Sequence, residues 1–567
     1  MDKYLTASSV PLAISESLKQ YPELLQTLLH NRGIVSNESA EQFLNPSYEA
    51  HMYDPFLMHD MEKACVRIFE ATEAKEKIII YSDYDCDGIP GGVILHDFFK
   101  KIGYENFENY IPDRHEEGYG LNHEAIDIFL KQNAKLVITI DLGTSDIAEV
   151  ANAQAKGIDV IVTDHHLPKE ELPRAYALVN PKLGAYPDPM LCGAGVVFKL
   201  VQALIKKYGE YWKISEGYEK WLLDMAGLAT LSDMVPLVNE NRVIAYYGLK
   251  VLQKNRRPGL QKLLAKLNID ARYLVEDDLT FMVTPRLNAA SRMDSPMRAF
   301  ELLRSTDDAE AGALALHLSK INDERKTNVA LIMKEVHKIL EQREEKEVII
   351  IGNPKWRVGV LGLVAGKITE TYSKPAFVWG MEGSEIIKGS CRSDGSVNVV
   401  TLMQTATKET FLDFGGHELA GGFSVSNEKV HFLEEELSQA YGKAKNDSRV
   451  AVKKDIDMKL SLDAVTMQSY KQIEQMAPFG CGNPKPVFLF EGVELAEVKL
   501  FGKEKNHLEL SVLSETGKRV KAISFFNTHE SFKVPVEKGK RINLIASFDL
   551  SRFAGRTELR LRIVDVV

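Results

Sequence analysis

Three carboxylates stand at alternate positions in SDYDCDG: Asp83, Asp85 and Asp87. Crowded together they repel one another unless a cation neutralises them. Hard divalent ions prefer such oxygen ligands. Asp141 opens DLGTSD, Asp164-His165-His166 follows the apolar run VIVT, and Asp233 lies in ATLSDMVPL. A mixed carboxylate and imidazole set suits manganese, zinc or iron, and a mainly carboxylate set suits magnesium or manganese. The carboxylates suffice for two ions about 3.5–4 Å apart, an arrangement that activates water for in-line attack on phosphorus. The expected chemistry is hydrolysis of a phosphodiester or a phosphoanhydride. One Asp-rich turn alone reads as an ordinary loop, and one histidine at a strand end as a satisfied structural residue. The expectation rests on their recurrence.

Such a site needs groups that hold phosphate without holding metal. Candidates are Arg114 in IPDRHEEGYG, Arg286, Asn288 and Arg292 in TPRLNAASRM, and Lys388, Ser390 and Arg392 in KGSCRSDG. Arginine grips phosphate through two parallel N–H donors, although each taken alone is an ordinary surface residue. FGGHELAGG, with His417, either lets backbone approach a ligand closely or is a tight turn before a strand. PFGCGNP reads as a rigid structural turn.

The elements that must position these groups are legible. Residues 78–81, 136–140 and 160–163 are short, β-branched and apolar on both faces, as in strands of a covered parallel sheet. Residues 122–135 and 146–157 between them carry helical spacing, so the order strand–helix–strand implies a doubly wound sheet. Asp83, Asp141 and Asp164 then fall at the carboxyl ends of three strands, where such sheets bind ligands. From about residue 307 to 345 an apolar stripe at helical spacing predicts one or two long helices that join domains. A strand at 347–351 opens a second α/β unit. From about residue 451, alternating runs (HLELSVL, VKAISFF, RINLIASFDL, TELRLRIVDV) predict a small antiparallel barrel.

At 567 residues and 63.6 kDa the chain is long enough for three or four domains. Its 45% hydrophobic and 26% charged residues exclude a mainly disordered chain. A net charge of −10 counts against a simple cationic nucleic-acid coat. From residue 499 onward, however, 14 Lys and Arg face 8 Asp and Glu. A basic barrel on an acidic chain suggests a binding module for a polyanion; a merely solvated lysine-rich surface is the plainer reading. Phe525, Phe526, Phe532 and Phe553 are possible stacking faces for bases, or barrel core. The five cysteines form no CxxC pair, which disfavours a disulfide framework or structural zinc. The N-terminus lacks a signal-peptide pattern and no window resembles a membrane span, so a reducing, cytoplasmic setting is expected.

Together these motifs resemble the DHH phosphoesterase superfamily, and within it the RecJ branch of single-strand-specific DNA exonucleases. DYDCDG, IDLG, DHH and LSDMVPL resemble its first four motifs. RLNAASRM, WRVGVLGLVAGKI, KGSCRSDG and FGGHELAGG resemble the later ones, and APFGCGNPKPVF the lead into an oligonucleotide-binding (OB) barrel. The resemblance spans nearly the whole chain. It implies an α/β multidomain architecture: an N-terminal helical lead-in to the catalytic domain (1–75), a parallel-sheet DHH domain (76–306), a long connecting helix (307–346), a second α/β DHH-associated domain (347–450) and a C-terminal OB barrel (451–567). It implies a 5′-to-3′ exonuclease that degrades single-stranded DNA to 5′-mononucleotides in recombination and repair. Two divalent ions would serve, manganese preferred and magnesium as substitute.

By resemblance, Asp85 and Asp87 are metal ligands with Asp83 beside them. Asp141 bridges both ions, His165 and Asp233 hold the second, and His166 contacts the scissile phosphate or leaving oxygen. Arg286, Asn288 and Arg292 hold the strand backbone, Arg114, Ser390 and Arg392 a terminal 5′ phosphate, and His417 the substrate. Departures from the common pattern occur at Cys86, Pro90, Gly91, Ser291 and Arg357, none of them a metal-ligand position. The resemblance further implies a monomer that acts on single-stranded DNA beside a single-strand-binding protein and a helicase, without a membrane. No long segment follows the barrel, so the extra C-terminal domain of larger relatives is expected to be missing. Two alternatives stay open: a short-oligonucleotide or cyclic-dinucleotide phosphodiesterase of the same superfamily, and a catalytically idle DNA-binding scaffold.

Overall fold

The computed structural model describes residues 4–7, 9–382, 386–407, 409–445, 454–553 and 556–567, and the side chains of 454, 553 and 556 lie outside this description. The described residues fall into two compact units, one built from 4–53, 234–247 and 454–567, the other from 54–233 and 248–445.

The second unit holds a five-stranded, all-parallel sheet in the order Phe107–Tyr110, Lys77–Ser82, Ala134–Ile140, Asp159–Thr163, Ala177–Val179. Its three central strands are β-branched and buried on both faces, as the unbroken apolar runs require. Ile79, Val137, Val160 and Val162 pack with Phe129 and Ile126 of the crossover helix His123–Lys131. Each such side chain contributes about 1.5–3 kcal/mol of burial. From the strand Lys77–Ser82 the chain crosses to one side (Phe107–Tyr110) and then to the other (Ala134–Ile140). A topological switch point therefore opens between the two strands that end in Asp83 and Asp141.

Register completes the alignment. Ser82 pairs with Ile140, Ile140 with Thr163 and Thr163 with Val179. The ladder continues one residue further, through Asp83 N–H to the Ile140 carbonyl (3.0 Å), Asp141 N–H to Thr163 (2.9 Å) and Asp164 N–H to Val179 (3.1 Å). The three aspartates are thus neighbours along one sheet edge.

The expected connecting segment is one helix, Asp308–Leu340, of 33 residues and about 50 Å. Asp307 caps it by accepting from the N–H groups of Ala309 and Glu310. The second sheet runs Asp413–His417, Ala420–Val425, Ile387–Arg392, Ala376–Gly380, Ile349–Gly352, antiparallel except for its last pair. Along Ile387–Arg392 burial alternates, so Lys388, Ser390 and Arg392 share the more open face.

In the first unit, strands Phe488–Phe501, His507–Leu513, Arg519–Ser524, Arg556–Val566 and Arg541–Phe553 close on themselves, because Phe488–Phe501 pairs with both His507–Leu513 and Arg541–Phe553. Two pairings in this sheet depart from the antiparallel expectation: Ala522 and Ile523 run parallel to Leu561 and Arg562, and the short strand Met458–Lys459 runs parallel to Phe488 and Leu489. Segment 1–75 divides. Helix Met61–Glu73 belongs to the catalytic unit, whereas helices Glu23–His30 and Asn37–Leu44 bury Leu25, Leu28, Leu29 and Leu44 in one core with Phe488, Phe490 and Leu544 of the barrel. Arg32 fastens them through Asn483 Oδ1 (2.7 Å) and Asp457 Oδ1 (3.3 Å). Among the described residues no helix is long and apolar enough to cross a membrane.

Candidate metal centre and phosphate pocket

The sheet edge gathers the candidates into two adjacent groups, which a third set, Asp141, His165 and His166, joins. Asp83, Asp85 and Asp141 form one and Asp87, His165 and Asp233 the other, each offering ligand atoms within 4.8 Å of one another. His165 Nε2 lies 3.2 Å from Asp141 Oδ1, so Asp141 stands beside both groups. Asp87, expected with Asp85, sides instead with His165 (3.7 Å). Asp233 is the C-cap of helix Leu223–Ser232 and reaches His165 at 3.9 Å.

The backbone is shaped to bring these groups close. Asp141 adopts φ 64°, the left-handed region that a non-glycine residue avoids unless its surroundings impose it. Helix Gly193–Tyr208 starts against it; a Cβ at Gly193 would fall 2.5 Å from Asp141 Cβ, so only glycine permits the approach. The same helix start holds Asp87, whose Oδ2 accepts from Gly193 N–H (2.6 Å) and Oδ1 from Ala194 N–H (2.7 Å). Asp85 Oδ1 accepts from the N–H groups of Asp87 and Gly88 at 2.8 and 3.2 Å.

The electrostatics of the cluster call for cations. Burial first, and neighbouring carboxylates second, push Asp83 and Asp141 well above the usual carboxylate range, Asp87 to about 6 and Asp233 to about 8. The Oδ1 atoms of Asp83 and Asp141 are buried without a hydrogen-bond partner. Orphaned carboxylate oxygens with one imidazole are the donor set a divalent ion requires, so the residues fit such ions.

Asp164, expected at the strand end but given no role there, organises the histidines. Its Oδ1 accepts from His165 N–H (2.7 Å), His166 N–H (3.1 Å) and His166 Nδ1 (2.8 Å), and its Oδ2 from Thr144 N–H (2.9 Å). Burial alone would raise this carboxyl, but the bonds from His166 and Thr144 hold it below the usual range. Burial likewise would lower His166, and Asp164 outweighs it, keeping the imidazole above its ordinary value. Its position as the first residue of the DHH triplet was the available signal. Tyr119, also unforeseen, donates to the Asp141 carbonyl (3.1 Å) with its ring edge-on to His166 (5.7 Å). His417, at the end of its exposed hairpin strand, stacks on His166 at 6.4 Å and 12°.

A cationic pocket adjoins the carboxylates. Arg114 lies over the Tyr84 ring at 4.7 Å. A Cβ at Gly362, in the first turn of helix Leu361–Tyr372, would come 3.1 Å from Arg392 Nη2 and 3.6 Å from Ser390 Oγ. Arg292 donates to the Gly359 carbonyl (3.3 Å) and Lys388 to that of His115 (2.9 Å). Arg292 is lowered to about 9 by burial and then by Arg114 and Arg325. Arg286 turns elsewhere, toward the connecting helix, where its charge senses Asp323. Arg357 pairs with Glu382 at 3.4 Å.

On the barrel, Phe526 is 79% exposed at φ 60° and its N–H donates to His507 Nδ1 (2.9 Å). Arg562 covers Phe525 at 4.2 Å, Phe532 packs on the core, and the side chain of Phe553 lies outside the described residues.

Comparison with known proteins follows the same divisions. Family models match at 77–230 (DHH family, N-terminal domain), 328–443 (DHHA1 domain) and 456–565 (RecJ OB domain). The single-stranded-DNA-specific exonuclease RecJ of Bacillus subtilis (strain 168) is 34% identical over 558 residues, covering 98% of this chain and 69% of the relative. The crystal structure of RecJ from Thermus thermophilus in complex with manganese shares the fold, with a TM-score of 0.82 at 24% identity, over 100% of this chain and 79% of that one. A manganese-bound exonuclease RecJ structure matches 69% of this chain and 97% of its own at TM-score 0.61 and 29% identity. Sheet, site and sequence agree: the chain belongs to the RecJ family of the DHH phosphoesterase superfamily.

Proposed function

We propose that the protein is a metal-dependent exonuclease that degrades single-stranded DNA from its 5′ end to 5′-mononucleotides, in recombination and repair. The observation that carries this reading is the pair of ligand groups meeting at Asp141 beside an arginine pocket. In this reading Asp83, Asp85 and Asp141 hold one divalent ion and Asp87, His165, Asp233 and Asp141 the other, manganese preferred and magnesium as substitute. Such ions supply an activated water and offset the charge that develops on phosphorus.

The chain's own groups do the rest. Asp164 fixes the Nδ1–H tautomer of His166 and favours its protonated form, so Nε2 presents a proton to the leaving 3′ oxygen. His417, stacked on His166, fixes the approach of the strand. Arg114, Ser390 and Arg392 take the terminal 5′ phosphate, with Arg292 beside them. Cleavage of the bond between phosphorus and the 3′ oxygen leaves a new 5′ phosphate on the shortened strand. Each product therefore carries the group the pocket grips, which supports repeated cleavage and its direction. On the barrel, the exposed Phe526 stacks a base.

The test is Asp141→Ala: hydrolysis should fall by orders of magnitude while single-strand binding survives. Full activity in that variant would overturn the two-ion reading.

A further inference from the structure

The fifth strand of the parallel sheet, Ala177–Val179, runs into Asn180-Pro181-Lys182. A residue before proline favours extended backbone, so Asn180 continues the line of the strand. The chain then turns: the Asn180 carbonyl accepts from Leu183 N–H (3.0 Å) and Asn180 Oδ1 from Lys182 N–H (2.9 Å). Asparagine in the first place and proline in the second suit such a turn. The Val179 carbonyl accepts from Asp164 N–H (3.1 Å), which sets the turn beside His165 and His166.

From this turn two side chains reach back to the main chain of the histidines. Asn180 is fully buried, and its Nδ2 donates to the His166 carbonyl (3.0 Å) and to Thr144 Oγ1 (3.1 Å). Lys182 Nζ donates to the His165 carbonyl. The turn itself requires no lysine, and a lysine ordinarily leaves its ammonium in water. Lys182 is instead part-buried with its ammonium folded inward. Burial pulls it below the ordinary lysine range, and Asp164 and Asp233 oppose that pull. The chain from Asp164 to Tyr176 forms neither helix nor strand, so side chains must hold the histidines in place. Asp164 fixes the ring of His166; Asn180 and Lys182 hold the backbone that carries both rings.

We propose that Asn180 and Lys182 are positioning residues of the reaction: by gripping the His166 and His165 carbonyls they aim one imidazole at the second ion and the other at the leaving oxygen. Groups behind a ligand commonly set metal affinity and turnover in this way. This rests on the reading of the protein as a two-ion nuclease. The opposite role, a cation placed to repel metal from Asp233, makes the opposite prediction, since its removal would then tighten metal binding.

The experiment compares the full chain with Lys182→Met, Lys182→Arg, Asn180→Ala and the double variant Asn180→Ala/Lys182→Met. Manganese is titrated into each protein and the free ion followed by electron paramagnetic resonance; kcat and KM are measured on a 5′-phosphorylated single strand. Lys182→Met keeps the apolar stem and should keep Tm, while the weaker of the two manganese sites loosens about tenfold. Its kcat should fall about tenfold or more, with KM within about threefold of wild type. Lys182→Arg, which still donates, should recover most of both losses. Because both side chains hold one loop, Lys182→Met should cost less kcat in the Asn180→Ala background than in the wild type. Unchanged kcat in Lys182→Met, manganese bound as tightly as by the wild type or more tightly, an Lys182→Arg variant no better than Lys182→Met, or fully additive losses in the double variant would overturn the proposal. A wild-type protein that binds no manganese or cleaves no single strand would instead overturn the functional reading beneath it.

Discussion

Replacing Asp164 by Asn isolates the carboxylate that orients the histidines. The amide is nearly isosteric, and its best orientation keeps an oxygen toward the His165 and His166 N–H groups and His166 Nδ1. The NH2 group must then face Thr144 N–H, now 2.9 Å from Asp164 Oδ2. Two buried donors confronting each other cost about 1–3 kcal/mol, and the charge-assisted bond to Nδ1 loses about 1.5 kcal/mol or more. The loss of that bond lowers the pKa of His166. The sign follows from the role: Asp164 raises His166, the protonated imidazole is the active form, and activity is lost as pH rises through its pKa. Without the carboxylate this alkaline limb should move to lower pH. At neutral pH, kcat on a single-stranded oligonucleotide should fall about 100-fold, with KM within about threefold of wild type and Tm lowered. A kcat within twofold of wild type and an unmoved limb would refute the assigned role of Asp164.

Two further outcomes follow from the same geometry. In metal-free protein, Asp87 and Asp233 bind protons more tightly folded than unfolded, so their contribution to stability is full below the ordinary carboxylate range and is lost as pH rises through about 6 and about 8; Tm measured by scanning calorimetry should show this loss with chelator and not with manganese. Phe526→Ala should weaken anisotropy-measured binding of long single strands about tenfold or more, with little change for dinucleotides; equal affinity for long strands would remove Phe526 from the strand path.

Much of the catalytic unit was legible because its physics is local. A strand buried on both faces is apolar throughout, and a following aspartate marks its carboxyl end, so Asp83, Asp141 and Asp164 could be placed together without knowing the register. The division of ligands between the two groups was not legible, because Asp87 is drawn toward His165 by the N–H groups of Gly193 and Ala194, more than a hundred residues away. Strand Phe488–Phe501 escaped notice because Gly492, at φ 60°, and a bulge between Leu495 and Glu497 interrupt its alternation. The docking of the first helices on the barrel depends on partners such as Asn483 for Arg32, separated by 451 positions. This docking also bears on experiment: removing the barrel would strip Leu25, Leu28 and Phe490 of a shared core, so point substitutions are the sounder probe.

The central claim is tested most directly by incubating the protein with single-stranded DNA labelled at the 5′ or the 3′ end, with manganese or with chelator. The account predicts rapid release of the 5′ label as a mononucleotide, late release of the 3′ label, and no release in chelator. Early release of the 3′ label, or undiminished release in chelator, would contradict it.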